Sequence, residues 1–461
     1  MDNKRKYIGD RAFYSMVLTI AVPIMIQNGI SNFVNALDNL MIGRIGTNAL
    51  SGVAIANQLI FVYFLVIFGA TAGVGIFTAQ YYGMKDIEGV RYSFRFKVIA
   101  NTLLTIICIG ILYTFSNQLI SSFLLGEGSA SDAAETLIIG KKYMTIMLIG
   151  LIPNGITQAY GGTLRETGET KVPMIASIVA VFVNLIGNFI LIYGFLGFPK
   201  LGAVGAAIAT VISRFIELLV LIIYTEIHKQ EHQFIIGAFK NFYVPGSLIV
   251  KFTLKSIPLM LNETLWSLGM TILNQCYSYR SLDSVAALNI ESTLWNLLGV
   301  AFLAMGDAVG IIIGQILGSG DIPKARDHAR KLIVFTVFCG LVFGIFMVLL
   351  APVFPLLYNT SLEVRSMATK FIFIQGGLMP LFACTHATYF TIRSGGRTGI
   401  TFLFDSCFVW VISVPFAFYL SRFTMINVVL MLLIIQSLEL IKCTIGLTMV
   451  HKGIWAKNIV S

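Results

Sequence analysis

The chain has 461 residues, of which 57% are hydrophobic and only 12% are charged, and its mean hydropathy is +0.84. These values exclude a soluble globular protein, because so few polar side chains cannot cover the surface of a particle of this mass. The net charge of +10 does not indicate a nucleic-acid partner, since the basic residues are distributed over loops between long apolar runs.

Apolar runs follow one another along the whole chain, and each is near or above the roughly 20 residues that a helix needs to cross a bilayer. We predict transmembrane helices over 14–42, 53–82, 93–115, 135–162, 173–197, 203–227, 253–279, 286–317, 332–356, 366–391, 399–421 and 424–450. The predicted fold class is therefore all-α integral membrane, with twelve transmembrane helices in two pseudo-symmetric six-helix lobes.

The N-terminal segment MDNKRKYIGDR is basic, but the apolar run behind it is too long for a signal peptide and lacks a small-residue cleavage site. We interpret that run as the first spanning helix. Most Lys and Arg residues, Lys4, Arg5 and Lys6 among them, fall on the side of the N-terminus. The opposite side holds Arg44, Lys141, Lys142, Lys200, Arg280, Arg365, Lys370 and Arg422. The charge bias predicts a multi-pass plasma-membrane protein with both termini in the cytoplasm.

An internal repeat divides the chain. Residues 73–91 align without a gap onto 308–326, and the same shift carries Pro23 onto Pro258. We predict an N-terminal lobe over 1–228, a cytoplasmic linker over 229–252 and a C-terminal lobe over 253–461. Six spans per copy make the repeat parallel, as in transporters whose two lobes move about a central site.

In the first copy, three polar residues lie inside predicted spans, where such residues are costly and are candidates for function. Asp38 lies in the outer third of the first span, and Asn184 and Asn188 share one face of the fifth span at a similar depth. We expect the three side chains to meet. Asp38 is either a proton or cation site or a hydrogen-bonded structural residue, and the asparagines are either its partners or interhelical packing contacts.

In the second copy, Glu263, Asp307 and Asp405 fall on the cytoplasmic half of the seventh, eighth and eleventh spans. Three unpaired carboxylates at one depth would repel each other, so at least one would bind a proton more tightly. The alternative is that these acids pair with Arg393, Lys255 or backbone groups and stabilise the lobe.

Other polar residues inside the spans favour structural roles. Arg214 and Glu217 are three residues apart, as are Glu439 and Lys442, so each pair can form on one helix face. His386 is either a proton carrier or a packing residue. The six cysteines lie singly in apolar spans, and the chain has no HExxH or nucleophile motif, so we expect no disulfide, metal site or catalytic residue and no enzymatic activity.

Several motifs, in their order along the chain, resemble those of the multidrug and toxic compound extrusion (MATE) family. They are Pro23 with ALDNLMIGRIG, AQYYGMKD, LRETGETKVP, LGAVGAAIAT, GQILGSGD and RSGGRT. The resemblance covers nearly the whole chain. It implies an antiporter that exports organic, often cationic, compounds in exchange for protons or sodium ions, with no other cofactor.

The resemblance also implies roles for individual residues. Asp38 matches the acid of the family's first helix, which is implicated in cation coupling. Asn184 and Asn188 resemble the polar positions of the fifth helix, the second of which is an aspartate in some members. Glu263 resembles the seventh-helix acid of the sodium-dependent branch, whereas Phe382 stands where that branch has a tenth-helix acid.

The alternative function is a flippase for lipid-linked saccharides, which the wider superfamily includes. Flippase cavities tend to carry cationic residues for a pyrophosphate, whereas the intramembrane charges of this chain are mainly acidic. The acidic charges favour the antiporter. Its expected partners are small organic molecules of cationic or amphipathic character and membrane lipids, and the expected oligomeric state is a monomer.

Overall fold

The structure is a computed structural model that describes residues 7–124 and 130–461, and it contains no strand within these ranges. Lys4, Arg5 and Lys6, which contribute to the predicted charge bias, lie outside the described residues. The all-α class predicted from the sequence is confirmed.

Seven α-helices form in the described part of the first half of the chain. They are α1 (Arg11–Gly43), α2 (Thr47–Gly83), α3 (Ile87–Thr114), the short α4 (Ser116–Phe123), α5 (Ala130–Glu166), α6 (Lys171–Tyr193) and α7 (Ala203–Ile227). All except α4 are long and apolar enough to cross a membrane.

Seven more helices follow from the second half. They are α8 (Gly246–Ser278), α9 (Leu282–Leu298), α10 (Val300–Gly318), α11 (Ile322–Leu350), α12 (Leu362–Ser394), α13 (Thr398–Phe423) and α14 (Val428–Lys452). The predicted span over 286–317 is thus two consecutive helices. They meet at Gly299, whose backbone stays helical.

Eleven helices in the described part of the chain have the length and hydropathy of membrane spans, and each coincides with a predicted span. The remaining predicted span, 253–279, lies in α8. This helix has 33 residues, ample to cross a bilayer, but Lys251, Lys255 and Glu263 make it less apolar than the others.

By packing, the chain forms two compact units whose boundaries fall inside helices. The unit that we call the N-unit comprises Ile26–Thr78 and Ile87–Ser256. The C-unit comprises the described residues up to Met25, the short segment Ala79–Asp86, and Ile257–Ser461. The lobes predicted over 1–228 and 253–461, with a linker over 229–252, stay a prediction.

Each unit has its own apolar core. In the N-unit, fully buried Val53, Ala56 and Ile60 of α2 pack with other apolar residues, and the Tyr63 hydroxyl donates to the Leu151 carbonyl oxygen at 2.9 Å. In the C-unit, Val17 and other buried apolar residues in the first half of α1 pack into a cluster formed mainly by α10, α11 and α12.

The repeated motifs make a reciprocal contact within the C-unit. A Cβ atom at Gly83 would overlap the carbonyl oxygen of Gln315, and a Cβ atom at Gly318 would overlap that of Gln80. The Gln80 amide also donates to the Ser394 carbonyl oxygen at 2.9 Å. Glycine therefore recurs in the repeat because the two helices approach each other backbone to backbone at these positions.

Candidate functional site

The structure brings together the three polar residues predicted to meet in the first copy. Asn188 on α6 donates through Nδ2 to Asp38 Oδ1 on α1 at 2.6 Å. Asn184 lies one turn earlier. In the amide orientation that satisfies both of its polar atoms, its nitrogen lies 3.1 Å from Asp38 Oδ1 and its oxygen accepts from Thr210 Oγ1 at 3.0 Å. The Asp38 carboxylate is thus held by neutral amide donors from one helix face.

Small residues explain how α6 and α7 come close enough to build this site. A Cβ atom at Gly187 would lie 2.9 Å from the Ala209 Cβ atom, and one at Gly205 would overlap the Leu191 carbonyl. Gly205 and Ala209 belong to the motif LGAVGAAIAT. The motif thus permits the close contact that places Thr210 beside Asn184.

Arg214, one turn beyond Thr210 on α7, is the nearby basic residue. Its guanidinium donates to Glu217 at 3.1 Å, which confirms the predicted pair, and it interacts electrostatically with Asp38. Arg214 also lines a cavity of about 10 Å³, close to the size of one water molecule, together with Asn154 and Thr210. The Asn154 Oδ1 atom is buried without a hydrogen-bond partner. A small pocket, lined mainly by apolar residues together with Asn154, Thr210 and Arg214, therefore lies next to the Asp38 site.

In the C-unit, Asp405 is ion-paired, so the expectation of three unpaired carboxylates is wrong for this residue. Lys442 Nζ on α14 lies 2.9 Å from Asp405 Oδ1, and Asn262 Nδ2 on α8 donates to Oδ2 at 3.1 Å. Lys442 also contacts Glu439 at 3.1 Å, which confirms the predicted Glu439–Lys442 pair. Lys442 is thus a basic partner of Asp405 that the sequence did not predict.

Glu263 lies in the same polar region. Its side chain hydrogen-bonds with Asn262 and interacts electrostatically with Arg393, Asp405 and Asp307. The structure therefore brings the three acids predicted in the second copy into one region. The same region contains two basic residues, Arg393 on α12 and Lys442 on α14.

Helix α13 changes its hydrogen-bonding pattern around Asp405. Residues Leu403–Cys407 and Val409–Ser413 form two π-helical turns, a feature that often occurs at functional sites. Beside Asp405, Ser406 donates through its backbone nitrogen and its hydroxyl to Asn262 Oδ1, at 3.2 and 2.8 Å. The π-helical turns and the hydrogen bonds to Asn262 together fix the position of the Asp405 carboxylate.

The two tenth-span residues singled out in the sequence lie among aromatic rings. The His386 ring centroid is 4.8 Å from that of Phe390 and 5.8 Å from that of Phe302, and Phe382 packs on Trp295 at 5.2 Å. These contacts favour the packing interpretation of His386. Phe382 contributes an apolar contact to this cluster.

Two residues with buried ionisable side chains, Lys97 and Glu291, were not among the predicted site residues. Lys97 on α3 is 1% exposed and contacts Glu166 and Thr163. Glu291 on α9 is 4% exposed and hydrogen-bonds with Gln375. The signal for Glu291 was present, because an ionisable residue inside the predicted span 286–317 meets the criterion that selected Asp38.

Comparison with known proteins gives the family. The model of the family described as MatE matches residues 23–190 and 258–419. The two matches begin at Pro23 and Pro258, the same pair of residues that the internal repeat aligns. The same family model therefore matches each half of the chain once.

Curated relatives match along most of their length. The chain is 25% identical over 410 residues to the probable multidrug resistance protein YoeA of Bacillus subtilis (strain 168), covering 88% of this chain and 87% of that one. It is 26% identical over 421 residues to the probable multidrug resistance protein NorM of Halalkalibacterium halodurans, covering 89% and 88%.

Solved structures share the fold. One, described as the outward-facing conformation of a multidrug resistance MATE family transporter of the MOP superfamily, matches with a TM-score of 0.85 and 18% identity over 98% of this chain and 99% of that one. A MOP superfamily transporter from Pyrococcus furiosus matches with a TM-score of 0.82 and the same identity and coverage. Because the family model covers well over half of the sequence in two consecutive matches, the chain belongs to the MatE family.

Proposed function

We propose that the protein is a multidrug efflux transporter that exports organic cations in exchange for a proton or a sodium ion by alternating access. Two observations support export of drugs: the family membership and the multidrug resistance names of the curated relatives. No other cofactor is required by this function.

The observation that carries the proposal is the way in which Asp38 is held. Its hydrogen-bond donors at Asn188 and Asn184 are neutral amides, which orient the carboxylate but leave its charge in place. Arg214, the basic residue nearby, is already bonded to Glu217. A partly buried carboxylate with neutral partners can exchange one cation for another at low cost in structure.

Exchange follows if the proton or metal cation and the cargo favour different conformations of the transporter. A cation on Asp38 removes the negative charge that attracts a cationic drug, so binding of one ligand disfavours binding of the other. The coupling is reciprocal, and it needs no covalent step. In this proposal Asn184 and Asn188 are positioning residues for the Asp38 carboxylate.

Glu263, Asp307 and Asp405 have a supporting role in the proposal. Asp405 is neutralised by Lys442, whereas Glu263 lies among two acids and Arg393. The balance of charge in that region depends on how many protons or cations it holds. We propose that the number of protons bound by these three acids changes during the transport cycle.

The ion pairs of two basic side chains inside the spans favour a cationic cargo over a lipid-linked pyrophosphate. Arg214 pairs with Glu217, and Lys442 pairs with both Asp405 and Glu439. Cationic side chains that are already bonded to carboxylates are poor donors for a pyrophosphate. We therefore propose small cationic or amphipathic molecules as cargo, and a monomer in the plasma membrane with both termini in the cytoplasm.

The experiment is drug export by the purified protein in liposomes, with pH and sodium gradients imposed separately. We expect Asp38→Asn to abolish gradient-driven export, because an amide cannot gain or lose the charge. We expect Glu263→Gln to reduce it. The matched control is Asp283→Asn, which changes an exposed acid at the start of α9. Normal coupled export by the Asp38→Asn protein would refute the proposal.

A further inference from the structure

Besides Glu263, Asp307 and Asp405, the C-unit contains a buried acid that has no role in the function proposed above. Glu291 lies on α9 with 4% of its surface exposed, between the buried apolar residues Ile290 and Leu294. It lies 16 residues before Asp307 on the nearly continuous α9 and α10, which is about 24 Å along the helix axis. Glu291 is therefore separate from the region of Glu263, Asp307 and Asp405.

Among the residues that the structure describes, Glu291 has no basic partner. Asp38, Glu263 and Asp405 each interact with a basic residue, namely Arg214, Arg393 and Lys442. The partner of Glu291 is the neutral amide of Gln375 on α12, and no charged side chain in the described part of the chain contributes to its electrostatic environment.

Three oxygen atoms around this site are buried and lack a hydrogen-bond partner. They are Glu291 Oε1, Gln375 Oε1 and the hydroxyl oxygen of Tyr277 on α8. Gln375 and Tyr277 are themselves 8% and 3% exposed, and Tyr277 is close enough to interact electrostatically with Glu291. Buried polar atoms are normally paired. Glu291 Oε1 and Gln375 Oε1 can only accept while the carboxyl is ionised, so these two atoms indicate a missing hydrogen.

An ionised carboxylate at this position would be a buried charge without compensation, which is the costliest state of an acid inside a membrane protein. A carboxylic acid is neutral and supplies one O–H donor among the unpartnered acceptors. A proton needs no cavity, whereas a metal ion needs a coordination shell of several oxygens with room for the ion.

We propose that Glu291 is a proton-binding site of the C-unit: its buried carboxyl holds a proton, and the amide of Gln375 and the phenol of Tyr277 are its neighbours. Protonation forms an O–H bond on the carboxylate with a proton taken from water, and release returns that proton to water. The site exchanges its proton only when water reaches α9. This proposal does not depend on which ion drives export.

The test uses the full-length protein in liposomes and infrared spectroscopy of protonated carboxyl groups at neutral pH. We expect the difference spectrum between the unmodified protein and Glu291→Gln to contain one C=O stretching band of a carboxylic acid, which shifts in deuterated water. The control, Glu363→Gln, changes an exposed acid at the start of α12 and should give no such band. An absent band in the Glu291→Gln difference spectrum would overturn the proposal.

Two further arms keep the result decisive. Gln375→Leu retains the acid and removes its partner, so the band should move to the frequency of a carboxyl group without that hydrogen bond, and an unmoved band would contradict the assignment. Spectra are also compared in sodium and in choline buffers. If the acid band appeared only after sodium was removed, the occupant would be a metal cation and not a proton. Because no transport is measured, failure of this test is distinguishable from failure of the export experiment.

Discussion

Lys97 illustrates how a charge can be fixed far inside a membrane protein. The side chain is 1% exposed on α3, where it contacts the carboxylate of Glu166 and donates to Thr163 Oγ1 at 3.2 Å. A buried ion pair of this kind gains little over an apolar pair of the same size, but each partner depends on the other.

Breaking this pair from either side should destabilise the N-unit. We expect Lys97→Met to cost about 3–5 kcal/mol, because it leaves the Glu166 charge without its partner. The double variant Lys97→Met with Glu166→Leu should recover most of that loss. Thermal unfolding in detergent measures both, and an additive effect of the two changes would show that the pair is not coupled.

The sequence predicted that Asp38 and the two asparagines meet because the asparagine pair is local and the depth of each residue in its span can be counted. Asn184 and Asn188 are one helical turn apart, and counting residues from the span ends placed them at the depth of Asp38. The Lys442–Asp405 pair was missed because it depends on how two helices are rotated about their axes. The π-helical turns of α13 alter that rotation, and nothing in the local sequence predicts them.

Glycine residues allow the end of α2 and the end of α10, which belong to the two repeats, to pack against each other. The group that lies against Gly83, and likewise against Gly318, is a main-chain carbonyl group, which cannot rotate away as a side chain can. The repeat in the sequence indicated that these positions matter. The contact itself could not be read from one sequence, because it joins segments separated by over 200 residues.

We expect Gly83→Ala or Gly318→Ala to destabilise the C-unit by about 3 kcal/mol, since the added methyl group overlaps backbone. Gly377→Ala is the matched control, because a Cβ atom there has nothing within 4 Å. That change should be neutral or stabilise by less than about 1 kcal/mol. Thermal unfolding of the three variants tests this, and equal effects would contradict the close contact.

The segment between α7 and α8 is hydrogen-bonded to α3 and packs against it. Arg95 donates to the carbonyl oxygens of Gly237 and Ala238, each at 2.7 Å, and Phe94 packs on Phe234 with ring centroids 5.2 Å apart. His232 in this segment is buried, and its Nε2 atom has no partner. Burial lowers the pKa of His232, with a smaller opposing effect from Glu169 and Glu231.

This shift makes the segment sensitive to acid. Because the folded pKa lies below the ordinary value of 6.5, the unfolded segment binds the proton first as pH falls. The stabilisation is therefore complete above that value and is lost below it. We expect tryptic cleavage at Lys229 and Lys240 to accelerate between about pH 7.5 and about pH 5.5. His232→Asn should remove this pH dependence of cleavage. The control His451→Asn changes an exposed histidine and should keep it. The same pH profile in both variants would refute the role of His232.

At the scale of the whole molecule, composition alone predicted an integral membrane protein, and the order of short motifs predicted the family. Both predictions are confirmed by the helices and by the family match. The orientation in the membrane is a separate prediction from the Lys and Arg distribution.

Cysteine labelling tests that orientation. Lys200 and Lys240 are both exposed, and they lie on opposite sides in the proposed topology. We expect a membrane-impermeant maleimide added to intact cells to label Lys200→Cys but not Lys240→Cys, and to label both after lysis. The unmodified chain corrects for reaction of its own six cysteines. Labelling of Lys240→Cys in intact cells would reverse the proposed orientation.

The boundaries of the compact units inside α1, α2 and α8 have a practical consequence for dissecting the transporter. A gene cut at the polar segment around residue 240 would yield an amino-terminal fragment carrying the stretch up to Met25 and Ala79–Asp86, whose folding partners are encoded in the other fragment. Neither piece is autonomous. Split versions should thus accumulate only when co-expressed, and each piece made alone should be degraded.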